Sequence, residues 1–173
     1  MDRDELRALQ KPLKERYRDD PPAAIVTLSA TGTLADGITC SVENGRAIAA
    51  AGLHPAAGGD GSTLCSGDML LQALAACAGV TLRSVATSLE IDVAGTVRAE
   101  GDLDFRGTLA VSGEAAVGFL SLRLTFDLET DAGDDQLETL KRLTERYCVV
   151  YQTLASPVAP ELLFRRATPA GGP

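Results

Sequence analysis

The stretch Gly67-Asp68-Met69-Leu70-Leu71-Gln72-Ala73-Leu74-Ala75-Ala76-Cys77 decides how this chain is read. Asp68 places a negative charge where a helix N-terminus favours one. The apolar residues that follow leave almost no polar stripe, so a helix from Asp68 to about Leu89 must be covered on every side. A single sheet covers one face of such a helix, and an identical subunit is the economical cover for the other. The helix carries Cys77 in surroundings where a thiol is ordinarily inert. A second cysteine, in Glu145-Arg146-Tyr147-Cys148, ends a later amphipathic helix. If folding joins the two, the pair can cycle between dithiol and disulfide.

Upstream of this stretch, Asp2 to Arg18 reads as a charged helix with Leu6, Leu9 and Leu13 on one face, stopped by Pro21-Pro22. Short strands are expected at Ile25 to Ala30 and Ile38 to Glu43, with a turn at Gly32. Asn44-Gly45 is a hairpin turn signal, which sends Arg46 to Ala50 back antiparallel. Gly52 to Ser66, with Gly58-Gly59-Asp60-Gly61, reads as a loop. Downstream, Val97, Ala99, Leu103 and Phe105 alternate with Arg98, Glu100, Asp102, Asp104 and Arg106. Leu120, Leu122, Leu124, Phe126 and Leu128 form a second period-two strand. Each of these has one wet and one buried face, as in an antiparallel sheet packed on helices. A second helix begins near Asp134-Asp135, with Leu137, Leu140, Leu143, Tyr147, Tyr151 and Leu154 along one stripe and Cys148 at its flank. Pro157 and Pro160 end it, and Leu162-Leu163-Phe164 reads as a last edge strand. The order of elements is that of an α+β domain.

With 173 residues the chain fits one domain, and aromatic residues at 4% leave the core to Ala, Leu and Val. The net charge of −8, without a Lys/Arg block, argues against nucleic acid and against anionic lipid as partners. Asp2-Arg3-Asp4-Glu5 stands where a signal peptide needs apolar residues. The apolar run from Met69 to Leu82 is shorter than the roughly 20 residues a bilayer requires. A cytoplasmic protein is expected, and in that compartment Cys40, Cys65, Cys77 and Cys148 are core residues or redox groups rather than structural staples. With one His and no C-x-x-C pair, neither a zinc site nor another cofactor is expected. Cys40 shares the apolar face of its strand with Ile38 and Val42. Cys65, just before the helix, is a candidate accessible extra thiol.

The constellation of Asp68 at a helix start, an apolar run ending Ala75-Ala76-Cys77, Tyr147-Cys148 near the end of a later helix, and a glycine-rich lead-in resembles the OsmC-like family, also called the OsmC/organic hydroperoxide resistance family. The resemblance covers roughly Ile25 to Leu154. It implies an intertwined homodimer in which antiparallel sheets wrap long central helices, with thiol sites at the subunit interface. Residues 1–22 would be an N-terminal helical extension, 23–166 the OsmC-like domain and 167–173 a flexible tail. It also implies a thiol peroxidase of organic hydroperoxides. Cys77 would be the peroxidatic thiolate, Cys148 would resolve its sulfenic acid as an intrachain disulfide, and a dithiol reductant of lipoyl type would restore the pair.

The peroxidase branch supplies an arginine from the first hairpin, held by a glutamate at the helix start. Here Gly32-Thr33-Leu34-Ala35-Asp36 has no arginine, Asp68 replaces the glutamate, and Val149 follows the second cysteine where typical peroxidases have proline. These departures place the chain on a separate OsmC-like branch. Arg46 and Arg146 are the candidate cations, and Asp68 is a candidate catalytic carboxylate. Nine residues separate Asp68 from Cys77, roughly 13.5 Å of helical rise and half a turn out of phase, so any partnership comes from another subunit or from a later helix start. Two functions stay open: the peroxidase, and a non-catalytic dimer that binds a small apolar ligand at the subunit interface.

Overall fold

The apolar stretch folds as the long helix α2 (Ser66–Leu89) of a computed structural model that describes residues 2–20, 25, 31–35, 39–43, 48–156 and 158–164. It begins at Ser66, two positions ahead of Asp68, because Cys65 already has the extended conformation of a capping residue. It ends where Glu90 enters the left-handed region at φ 58°, its N–H donating to the carbonyls of Ala86 and Thr87. Leu74, Ala78, Leu82 and Ala86, spaced one turn apart, form the buried stripe. The opposite face is open: Ala73 and Ala76 are exposed, and Val80 is 72% exposed. Within one chain the expected all-round cover is therefore met on one side only. By length and composition the 24-residue α2 would suit a membrane span, although the shorter run Met69 to Leu82 does not. Its buried stripe nevertheless packs on protein elements.

Those elements follow in order. The strand β5 (Ala94–Leu103) pairs antiparallel with β6 (Phe119–Glu129), and α4 (Asp134–Tyr147) lies against α2. Gly79 lets α2 approach β5 closely, since a Cβ there would stand 3.3 Å from a Val97 methyl. Leu82, Ala86, Val93 and Leu140 form the buried core, with Ile91, Phe126, Leu128 and Leu137 packed around them. Among the described residues Leu140 is the large apolar side chain most completely withdrawn from water, at 1% exposure. Leu140→Ala is expected to lower unfolding stability by about 2–5 kcal/mol in a urea titration, through lost transfer energy and the residual cavity.

The period-two reading holds for β5 as far as Leu103. Phe105 and Arg106 instead belong to a short helix, α3 (Phe105–Thr108), because the Asp104 carboxylate accepts from the Arg106 N–H at 3.0 Å and starts a turn. On β6, Leu124, Phe126 and Leu128 are half-buried as expected, but Leu120 and Leu122 are exposed. A bulge at Asp102/Leu103 pairs Leu103 with Phe119, and the Phe119 ring covers the space a Cβ on Gly101 would fill. On the outer face, Arg123 and Ser121 both bond the Asp102 carboxylate and hold its pKa down at about 2. This network is kept as pH falls through the ordinary carboxylate range and is lost only near that value.

The remaining strands form a second sheet, in the order β1 (Thr31–Ala35), β2 (Thr39–Glu43), β3 (Ile48–Gly52) and β4 (Leu64–Cys65). The return of the chain after Asn44-Gly45 is antiparallel as expected, with Glu43 opposite Ile48. The first strand lies later than expected: Gly32 is inside β1, opposite Val42, and Ile25 is exposed outside any strand. Residues 26–30, the last residues of the strand expected from Ile25, lie outside the described residues. The loop after Gly52 contains a helical turn at Pro55–Ala57 and then β4, parallel to β3. His54 caps that turn by accepting the Ala56 N–H at 3.0 Å and stacks on Phe105, with ring centroids 5.0 Å apart.

The N-terminal helix α1 (Arg3–Asp19) runs through Pro12 and rests on α2, with Arg3 paired to Glu90 at 2.5 Å. At the other end the expected edge strand does not form. Leu162, Leu163 and Phe164 belong to no strand and are exposed, Phe164 at 91%.

Candidate functional site

The amphipathic helix ending the core does not run unbroken from Asp134 to Leu154. It stops at Tyr147, and a second helix, α5 (Val149–Ala155), starts after Cys148. Cys148, at φ −75° and ψ 108°, closes the first helix through its N–H to the Thr144 carbonyl at 3.0 Å. It opens the second through its own carbonyl, which accepts the Gln152 N–H at 2.9 Å. The Gln152 side chain staples the junction by donating to the Glu145 carbonyl at 2.7 Å. The break leaves the first amides of α5 without a preceding helical turn to bond, which is the ordinary state of a helix N-terminus. Here sulfur takes them. The Tyr151 N–H donates to the Cys148 Sγ at 3.5 Å, while the N–H groups of Val150 and Val149 reach the Cys77 Sγ.

Folding thus brings the two cysteines together. Cys148 is wholly buried, Cys77 is half-buried on α2, and their thiols lie within hydrogen-bonding reach of each other. Their environments push them apart in acidity. Burial opposes ionisation of Cys77. The Val150 N–H, the Cys148 thiol, the Val149 N–H and the Thr81 hydroxyl together outweigh burial and hold its pKa below that of an ordinary thiol. Burial raises the pKa of Cys148, and the neighbouring Cys77 sulfur raises it further, against the opposing donation from Tyr151. Cys77 is the better thiolate, and Cys148 the thiol that donates to it.

The other expected site residues stand elsewhere. Asp68 is exposed on the first turn of α2, so this chain's own Asp68 stays remote from Cys77, as their spacing requires. Arg146 is exposed, its guanidinium 5.5 Å from the centre of the Tyr147 ring. Arg46 lies outside the described residues. Cys65 is half-buried at the end of β4, where its sulfur, the Phe119 ring and Leu103 surround Gly67. The backbone of Cys40 pairs with Leu34 and Ala51 in the second sheet. The groups that acidify Cys77 are uncharged, and apart from Cys148 none of them was apparent as a site residue in the sequence. Thr81 had a legible signal in its spacing, one turn beyond Cys77. The amides of α5 had none, because no Gly or Pro marks the break. Among the described residues no cluster of His, Cys, Asp or Glu could hold a metal.

A cavity of about 600 Å³ lies beside Cys148, lined by Phe126, Leu128, Leu137, Leu140 and Thr144 among others. Its walls are mainly apolar, and Cys148 forms part of them.

A family profile described as OsmC-like protein matches residues 59–162. Among solved structures, the OsmC like protein from Mycoplasma pneumoniae is similar at 14% identity and a TM-score of 0.65, over 76% of this chain and 89% of that one. An organic hydroperoxide resistance protein OsmC from Legionella pneumophila is similar at 18% identity and a TM-score of 0.56, over 77% and 92%. The organic hydroperoxide resistance protein OhrB of Bacillus subtilis is similar at 17% identity and a TM-score of 0.51, over 78% and 94%. At these identities the likeness is one of fold. No curated protein sequence matches the chain. Both cysteines and the helices that carry them fall inside the matched span, and the chain belongs to the OsmC-like protein family.

Proposed function

We propose that this protein is a thiol peroxidase acting on organic hydroperoxides through Cys77 and Cys148. The observation that carries the reading is the contact between a half-buried thiol biased toward thiolate and a fully buried thiol biased toward the protonated form. Ionised Cys77 attacks the terminal oxygen of the hydroperoxide and the O–O bond breaks. Cys77 becomes a sulfenic acid, and the alkoxide takes a proton from water to leave as the alcohol. Cys148 then gives up its proton and attacks the Cys77 sulfur. The hydroxide it expels takes up a proton as water, and an intrachain disulfide remains. A dithiol, of the lipoyl type by family resemblance, reduces that disulfide by exchange. The organic hydroperoxide resistance proteins of Legionella pneumophila and Bacillus subtilis share this fold, which supports the reading.

A homodimer belongs to the same proposal. The open face of α2 around Val80 and the exposed Leu120 and Leu122 on β6 leave apolar surface for a second copy to cover. A reducing, cytoplasmic setting fits a cycle that a dithiol must complete. The apolar cavity favours one other reading, a binding protein that holds a small apolar ligand without turnover.

The two are separated by mild treatment with tert-butyl hydroperoxide. The peroxidase reading expects the loss of two hydrogens per chain and a peptide joining Cys77 to Cys148. Both cysteines remaining reduced at a hydroperoxide excess would leave the binding reading alone. The reaction rate is expected to rise with pH and reach its plateau earlier than that of a free cysteine, since the Cys77 thiol is already shifted toward the reactive form.

A further inference from the structure

Thr81 lies one helical turn beyond Cys77 on α2, and its hydroxyl donates to the Cys77 carbonyl at 2.8 Å. A hydroxyl has one proton to give and rotates to suit its acceptor. The bond to the carbonyl is an ordinary one for a helical threonine. Thr87 and Thr153 make it too, at 2.8 Å to Arg83 and 2.9 Å to Val149. At Thr81 alone of these three the residue one turn back is a thiol, and the hydroxyl is within reach of that sulfur as well. We propose that Thr81 is a positioning residue for Cys77, its hydroxyl turning from the Cys77 carbonyl to the Cys77 sulfur when that sulfur carries charge. With the amides of Val149 and Val150, it forms a cradle of neutral donors around the thiolate.

The cost of turning is small, because the carbonyl keeps its helical N–H partner while the sulfur gains a donor where charge appears. Donors that ease ionisation also quiet the nucleophile. For sulfur, reactivity falls as basicity falls, with a Brønsted coefficient of about 0.4–0.5. Removal of the hydroxyl should therefore act in opposite directions at the two ends of the pH range. Each tenfold loss of thiolate is partly offset by an intrinsic gain of about threefold. If the hydroxyl accounts for a tenfold change in thiolate, a Thr81→Val protein reacts about threefold more slowly than the parent at low pH and about threefold faster once both are fully ionised, and a smaller share gives a smaller crossing of the same sign.

The inference rests on Cys77 being a reactive thiolate, and the experiment keeps the two apart. The full chain is reacted with the aromatic disulfide dithiodipyridine across the pH range, labelling at Cys77 is read by peptide mass, and helix content and melting are followed in parallel. Crossing pH profiles for parent and Thr81→Val, with Thr81→Ser following the parent and Thr87→Val unchanged, are the expected result. Superimposable profiles, or a Thr81→Val profile lowered by one factor at every pH, would overturn the role of Thr81 while leaving the thiolate reading intact. A parent Cys77 that titrates like a free cysteine would remove both. Should Thr81→Val fail to fold, Thr81→Ala carries the same test.

Discussion

Cys77→Ser is expected to abolish hydroperoxide consumption, with a loss of at least about 100-fold in dithiol-dependent turnover. A serine hydroxyl is a weak nucleophile at its ordinary pKa, and among the described residues no base is placed at Cys77 to take its proton. The donors around residue 77 are amides, a thiol and a hydroxyl, all arranged to stabilise a negative charge rather than to create one. Cys148→Ser is the informative companion. It should preserve the first step and stop the cycle after one turnover, since a sulfenic acid forms on Cys77 with no thiol beside it to close the disulfide. Trapping that sulfenic acid with dimedone would distinguish the two variants: labelled for Cys148→Ser, unlabelled for Cys77→Ser. Equal peroxide consumption by parent and Cys77→Ser would end the peroxidase assignment.

Gly95→Ala is expected to lower stability by about 3 kcal/mol or more, enough to move a thermal midpoint by ten degrees or so in a domain of this size. Gly95, the second residue of β5, stands opposite Leu128 with φ at +128°, a conformation that only glycine adopts without strain. A Cβ there would also stand 2.0 Å from the Asp127 carbonyl oxygen, a backbone atom of the partner strand that cannot turn aside. Both penalties fall at the base of the hairpin that carries Phe126 and Leu128 into the core. Gly113→Ala is the matched control, having no atom within 4 Å of its added carbon. A melting temperature for Gly95→Ala equal to that of the control would refute this account of the hairpin.

Much of the architecture was legible because the patterns concerned were long. The apolar run after Asp68 exceeds any turn, so α2 and its end near Leu89 follow from composition and length. The alternation around Val97 and Phe126 marks β5 and β6 for the same reason. Short features failed where a side chain overrode the pattern. The alternation continues past Leu103 to Phe105, but the Asp104 carboxylate captures a backbone N–H and turns the strand into α3. Leu162 to Phe164 has strand composition and no strand to pair with in the described chain. At the site, family resemblance pointed to Cys77 and Cys148, and both stand in contact. The break between α4 and α5 left no mark, since Val149-Val150-Tyr151 contains no residue that ends helices. The interactions that hold it are a main-chain dihedral at Cys148 and the reach of the Gln152 amide.

That interruption has a bearing on the return half of the proposed cycle. Amides aimed at sulfur are well matched by an ion and poorly matched by a neutral S–S bond, which accepts hydrogen bonds only weakly. Oxidation would strip Val149 and Val150 of their charged counterpart, leaving the closed form the less contented of the two. A bridge placed under such donors surrenders readily to an incoming dithiol, so the unfinished first turn of a seven-residue helix would favour not only the attack but also the reset.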